Sequence, residues 1–275
     1  MGPLRHAIQA IVRRPFTACF AAAATLVCCL INRYNPVIAV LTGLNKVTGG
    51  DIFENVISFL QIIMEPRTFR AMLAFLPGIS IAASLLAGLI LSGYLNVVDS
   101  ALEEKQKTGK EFINGLKKYF ISIARVSFAV TFSGLILLVF LMVASVPAII
   151  ITKGALSDKP DLLIGAVFVD IITVSVIFFA LMFFRAYMFF WYPSLFHNRK
   201  KAFSTGKYLA NRHFWGIAAR YLVFDVVFIA ALLLITQISH PFVSFAAGWI
   251  FTAAFSTLFA TYVFSLFRHL RMKKA

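Results

Sequence analysis

Six runs of apolar residues organise the chain, at 16–33, 72–98, 126–151, 162–192, 214–238 and 242–267. A helix needs about 20 apolar residues to cross a hydrocarbon core of ~30 Å. Five runs exceed that length, and the first approaches it. The first run follows Arg13 and Arg14, as a leader peptide would, but its small residues Ala21 to Ala24 lie inside the apolar stretch. Asn32, Arg33 and Tyr34 come next and make no cleavage site, so the run reads as an uncleaved first helix.

Between the runs, apolar positions recur with helical spacing but alternate with charge. Over 4–14, Leu4, Ile8, Ile11 and Val12 oppose Arg5, Gln9, Arg13 and Arg14. Over 51–65, Ile52, Val56, Phe59, Leu60 and Ile63 oppose Asp51, Glu54, Asn55, Ser58 and Gln61, and Pro66 ends the pattern. This segment is too short to span, so it reads as an interfacial helix on the outer surface or a cap on the bundle. Its functional alternative is a lid over a cavity. Over 109–120, Phe112, Ile113, Leu116, Tyr119 and Phe120 oppose Lys110, Asn114, Lys117 and Lys118; Thr108 and Glu111 have capping-box spacing. Over 203–213, Phe203, Tyr208 and Leu209 oppose Lys207, Asn211 and Arg212. The predicted fold is therefore all-α: one integral membrane domain over 1–275, with six transmembrane helices and four amphipathic interfacial helices.

Composition narrows the class. Of 275 residues, 60% are hydrophobic and 13% charged, with 30 Phe, and mean hydropathy is +0.87. Soluble domains carry about 25% charged residues. A soluble globular enzyme is excluded, and so is a disordered chain, which would need low hydrophobicity.

The formal charge of +15 would point to nucleic acid in a soluble protein. Its placement points to the membrane instead. Alternate loops and both termini carry 17 Lys and Arg with Asp99, Glu103, Glu104 and Glu111, whereas the remaining loops carry six with five acids. The two faces thus bear +13 and +1. The basic face is expected in the cytoplasm with both termini. There Lys110, Lys117, Lys118, Lys200, Lys201, Lys207 and Arg212 are the candidates for contact with anionic headgroups. The expected partners are the bilayer and a membrane protein, with no nucleic acid.

Two loops share Thr-Gly-Lys, at 108–110 and 205–207, each followed by an Ala-Arg pair at 124–125 and 219–220. Gly93-Tyr94, Ala186-Tyr187 and Thr261-Tyr262 mark the inner ends of the even spans. Two readings stand. One is three parallel repeats, each a basic interfacial helix followed by two spans, about an axis along the membrane normal. The other is that every inner interface attracts Lys and Tyr.

The stretch from Gly93-Tyr94-Leu95 through the Thr108 helix, then Tyr187, Phe190-Trp191-Tyr192-Pro193, Lys200-Lys201-Ala202-Phe203 and His213-Phe214-Trp215, resembles a broad group of bacterial six-helix membrane proteins. The group includes the membrane domain attached to some glycerophosphodiester phosphodiesterases. The resemblance covers about the last two thirds of the chain. It implies the architecture and a bacterial inner membrane, and no catalytic residue.

Five ionisable residues fall in or near the spans: Arg125, Asp170, Arg185, Arg220 and Asp225. Such groups are costly in lipid and are functional candidates by default. The 162–192 run has 31 residues, about 46 Å of helix, so Asp170 and Arg185 cannot both lie deep without tilt or bend. Arg125, Arg185 and Arg220 read first as interfacial anchors that snorkel. Asp225 sits near mid-span, and Asp170 lies well inside its own. Each must be protonated or paired, with the three Arg as available partners. The functional alternative for the two acids is a cation or proton site.

Cys19, Cys28 and Cys29 lack any zinc or disulfide spacing and read as small buried hydrophobes. The five His are scattered. The sequence contains no Walker A, no Gly-x-Ser-x-Gly and no dinucleotide fingerprint. No catalytic, metal or cofactor site is expected. The leading expectation is a non-enzymatic accessory or scaffold protein that binds a membrane partner or anionic lipid. Its rival is a small transporter with Asp225 and Asp170 in the pathway. A membrane-embedded lipid enzyme would need a nucleophile or metal site that the sequence does not display.

Overall fold

The computed structural model describes residues 2–33, 65–106, 108–157 and 160–272. The interfacial helix expected over 51–65 lies outside them, except for Glu65. Among the described residues there are seven α-helices, two 3-10 turns (Pro160–Leu162 and Arg199–Lys201) and no strand. The helices are α1 (Pro3–Arg13), α2 (Phe16–Arg33), α3 (Pro66–Leu102), α4 (Glu111–Ser157), α5 (Leu163–His197), α6 (Ala202–Thr236) and α7 (Pro241–Met272). Helices α3 to α7 are long and apolar enough to cross a membrane; α1 and α2, bent by 89°, make a further candidate only when taken together. Large apolar side chains such as Ile164, Phe168, Ile171 and Val174 on α5 are exposed. In water such a face would aggregate, whereas lipid solvates it. This is the architecture of a polytopic helical membrane protein.

The helices outrun the apolar runs. Helix α4 has 47 residues, about 70 Å, and fuses the segment over 109–120 with the run over 126–151. Nothing between Ile121 and Arg125 interrupts the ladder. Helix α6 likewise joins 203–213 to 214–238, but with a kink at His213 (φ −122°, ψ 21°) between them. The α1–α2 corner falls at Arg14 and Pro15, where proline lacks the N–H needed to continue the ladder.

The capping signal at Thr108 does not start a helix. Gly109 adopts φ +66°, a left-handed turn suited to glycine, and α4 begins at Glu111. Thr205 to Lys207, by contrast, lies inside α6. The shared Thr-Gly-Lys therefore occupies two different structural positions.

The chain divides into two compact units. Unit 1 comprises Met1–Tyr34, Ser84–Ser127 and Arg185–Ala275; unit 2 comprises Asn35–Ala83 and Phe128–Phe184. The core of unit 1 gathers Ala7 from α1, Ala186 and Phe190 from α5, Leu209, Ile217 and Tyr221 from α6, and Leu266 and Phe267 from α7. Helices α6 and α7 are zipped by rings, with Phe224 against Phe255, Phe259 and Tyr262, and Phe228 against Phe251 and Phe255. Trp249 Nε1 donates to the Ala22 carbonyl at 2.8 Å and ties α2 to α7.

The amphipathic starts of α1, α4 and α6 each lie on the end of another helix in unit 1. The fifth residue of each is small: Ala7 (fully buried), Gly115 and Gly206. A Cβ on Gly115 would meet the Asn96 side chain at 2.5 Å and the Ser92 carbonyl at 2.7 Å, both on α3. One on Gly206 would meet Trp191 at 2.8 Å and the Phe190 carbonyl at 3.1 Å, on α5. The first residues of α1 and α4 are also tied: Ser265 Oγ donates to the Pro3 carbonyl, and Asn96 Nδ2 to the Glu111 carbonyl, each at 2.8 Å. In unit 2, Phe184 sits over Gly134, and Leu162 lies against Gly154.

Candidate functional site

The polar end of unit 1 is assembled from chain segments far apart in sequence. Arg14, at the α1–α2 corner, donates to the Lys105 carbonyl at 2.7 Å and pairs with Glu111 at 2.9 Å. These two side chains are only 8% and 13% exposed. Glu111 also lies in the first turn of α4, where its charge complements the helix dipole. Arg13 pairs with Glu104, and Lys105 with Glu103. Arg268, near the end of α7, bridges Asp99 at 2.5 Å and Glu103 at 3.3 Å.

All four acids of the basic face are thus matched to Arg13, Arg14, Lys105 or Arg268. The seven headgroup candidates are left over. Lys110, Lys117, Lys118, Lys200, Lys201, Lys207 and Arg212 are all exposed and form no ion pair among the described residues. Arg199 donates to the Lys118 carbonyl and lies 4.4 Å from the centre of the Tyr119 ring. It adds to the same surface.

A cavity of about 470 Å³ opens beside the Arg268 pairs, lined by His6, Asp99, Glu103, His197, Arg268 and Arg271 among others. Burial, reinforced by Arg268, holds His6 below the ordinary histidine value. Burial also lowers His197, with Arg271 and Arg268 adding to the effect. Both imidazoles are therefore neutral at pH 7. Burial raises the Asp99 carboxyl against the opposing pull of Arg268. Glu104 is lowered by its bond to Arg13. Among the described residues no cluster of His, Cys, Asp and Glu has the arrangement for a metal ion.

The five intramembrane candidates do not converge. Asp225 on α6 pairs with Arg185 on α5, each side chain 26% exposed. The Arg185 guanidinium also lies 5.6 to 5.8 Å from the ring centres of Phe189, Tyr221 and Phe259. The aromatic faces share its charge. Asp170, in unit 2, accepts from Thr152 Oγ1 at 3.0 Å rather than from an arginine. Arg125 and Arg220 are exposed and form no ion pair among the described residues.

By sequence Arg14 is one more cation of the basic face; in the structure it is the buried clamp of the polar end. The only local signal was its place beside Pro15. Comparison with family models, curated proteins and solved structures finds no match for the chain.

Proposed function

We propose that the chain is a six-span protein of a bacterial inner membrane, with both termini in the cytoplasm. We read it as a non-enzymatic accessory or scaffold protein whose basic face binds anionic lipid or a membrane partner. One observation carries this reading. Every acid of that face is consumed in a pair with another residue, while seven cations stay exposed: Lys110 just before α4, and six on the starts of α4 and α6 and the Arg199–Lys201 turn. A juxtamembrane cation near an anionic surface is worth about 1 kcal/mol. Seven of them make a strong, salt-sensitive attachment.

The small fifth residues Ala7, Gly115 and Gly206 support the three-repeat reading in a new register. Gly115 and Gly206 each let an amphipathic helix lie against the end of the preceding even span, and Ala7 lets α1 lie against the end of α7. The resemblance to six-helix bacterial proteins agrees with that architecture. The Arg185–Asp225 pair weighs against the transporter reading, because a carboxylate already matched by a guanidinium has little left to offer a passing cation.

The test is capture from native membranes of the wild type and of a variant with Lys117, Lys118, Lys200, Lys201 and Lys207 changed to Gln. Proteins and lipids are both identified by mass spectrometry. Loss of an anionic lipid or a stoichiometric protein from the variant is the expected result. An unchanged set of bound species, together with solute flux abolished by Asp225→Asn, sinks the reading in favour of transport.

A further inference from the structure

Three helix ends in unit 1 line two cavities in succession. The first is the polar mouth described above. The second is an apolar cleft of about 200 Å³ lined by Leu91 and Leu95 from α3, Tyr192 from α5, and Ala260, Val263 and Phe264 from α7. On each helix the mouth residues follow the cleft residues within about two turns: Asp99 and Glu103 after Leu95, His197 after Tyr192, Arg268 and Arg271 after Phe264. Phe196 lines the mouth and Phe264 the cleft, and their rings meet with centres 5.7 Å apart. A ring lining the mouth thus meets a ring lining the cleft.

The charges of the mouth are not equivalent. Arg268 is satisfied by Asp99 and Glu103. Arg271 has no carboxylate among the described residues. Its Nη1 lies 2.7 Å from His197 Nδ1. A guanidinium can only donate, so Nδ1 accepts and the neutral ring carries its proton on Nε2. The mouth thus offers one uncompensated, forked cation and an adjoining N–H donor, a set suited to phosphate oxygens. About two turns back along the same helices lies a cleft with room for part of one acyl chain and not for two.

We propose that this paired mouth and cleft binds one phospholipid, with its phosphate on Arg271 and His197 and one acyl chain entering the cleft past Phe196 and Phe264. The site is separate from the exposed basic helices and does not rest on their role. Within a bilayer, moving an acyl chain from lipid to the cleft gains no hydrophobic energy, because lipid tails are as apolar as leucine. The mouth therefore supplies the affinity, and the cleft selects a chain.

The experiment is native mass spectrometry of the full chain, purified in mild detergent and washed with high salt. Salt strips lipids attracted by surface charge, and a lipid seated in the mouth and cleft should survive. One phospholipid per chain is expected on the wild type. Arg271→Ala removes a charge-assisted contact and should lower occupancy about tenfold or more. Ala260→Trp fills the cleft and should do the same, with Leu91→Trp as a second obstruction from the facing helix should Ala260→Trp not fold. The five-fold Lys→Gln variant should keep its lipid. The proposal fails if the wild type carries no lipid after the wash, or if Arg271→Ala and a cleft-filling variant both retain it. It also fails if inorganic phosphate binds the mouth with unchanged affinity in the cleft-filling variants and no lipid does. Lipid lost from the Lys→Gln variant but kept by Arg271→Ala would overturn it while leaving the surface reading standing.

Discussion

Arg185 and Asp225 meet from two helices among three aromatic rings. Removing one member of a shielded ion pair leaves an uncompensated charge, at about 3 to 5 kcal/mol, whereas replacing both with apolar residues is often neutral. Asp225→Asn and Arg185→Met should therefore each lower the melting temperature in detergent, and Arg185→Met with Asp225→Leu should recover most of the loss. Additive losses in that double-mutant cycle would show that the two residues do not depend on each other. Arg14 and Glu111 obey the same logic at the polar end. Arg14→Ala should cost about 3 kcal/mol or more and loosen residues 103–106, because the Lys105 carbonyl loses its donor as well. The histidines set the pH response. His6 and His197 both lie below the ordinary value of 6.5 because burial disfavours their charged forms. His6 faces Arg268, Arg13 and Glu104, and His197 faces Arg271, Arg268, Asp99 and Glu103. The unfolded chain binds protons more readily, so their contribution to stability is full above pH 6.5 and is lost as pH falls through the lowered folded values. The lowered Glu103 and Glu104 act only below their ordinary 4.5. Asp99, raised by burial, pulls the other way, because the folded chain takes up its proton first as pH falls. With two histidines against one carboxyl, a thermal melt should decline from pH 6.5 downward, and His6→Gln with His197→Gln should flatten or reverse that decline. An unchanged slope in the double variant would assign the effect elsewhere.

At the scale of the element, apolar runs were readable because hydropathy is local. Each residue of 126–151 reports on its own preference for lipid, and the helix followed. Element ends were less readable, because they are settled by partners. Thr108 and Glu111 have the spacing of a cap, yet Gly109 turns left-handed and Glu111 goes to Arg14, a residue almost a hundred positions away. The same limit applies to the polar site. Basic faces at 109–120 and 203–213 follow from periodicity alone, but no spacing rule places Arg268 on Asp99 or Arg271 on His197. For Asp225 the sequence left Arg125, Arg185 and Arg220 open as partners, and only packing selects among them. Packing also explains which glycines matter. Gly115 and Gly206 lie against main-chain carbonyls that cannot yield, so Gly115→Ala and Gly206→Ala should each destabilise by about 1 to 3 kcal/mol. Gly165 has open space around it, so Gly165→Ala should be neutral or stabilising by up to about 1 kcal/mol. Equal effects at the three sites would mean that the amphipathic starts do not lie against the helix ends.

For the whole molecule, charge placement carries the orientation. Unit 1 joins α1, the end of α3, the start of α4 and the end of α7 through Arg13–Glu104, Arg14–Glu111 and Arg268–Asp99. Segments linked in this way are expected on one side of a membrane, because an Arg14 side chain cannot reach Glu111 across ~30 Å of hydrocarbon. The bias of +13 against +1 then predicts which side. Reporter domains fused to the N-terminus, to the C-terminus and within the turn at Gln106 should all report the cytoplasm, and one inserted near Asp161 should report the opposite face. The same fusions on the five-fold Lys→Gln variant probe the cause. Removing five cations leaves the basic face still the more positive, so orientation should persist while lipid or partner capture falls. If orientation inverts instead, the exposed lysines act as topology signals rather than as a binding surface. Split results, with the N-terminus and the 106 turn on opposite sides, would contradict the ion pairs that join them and the six-span count together.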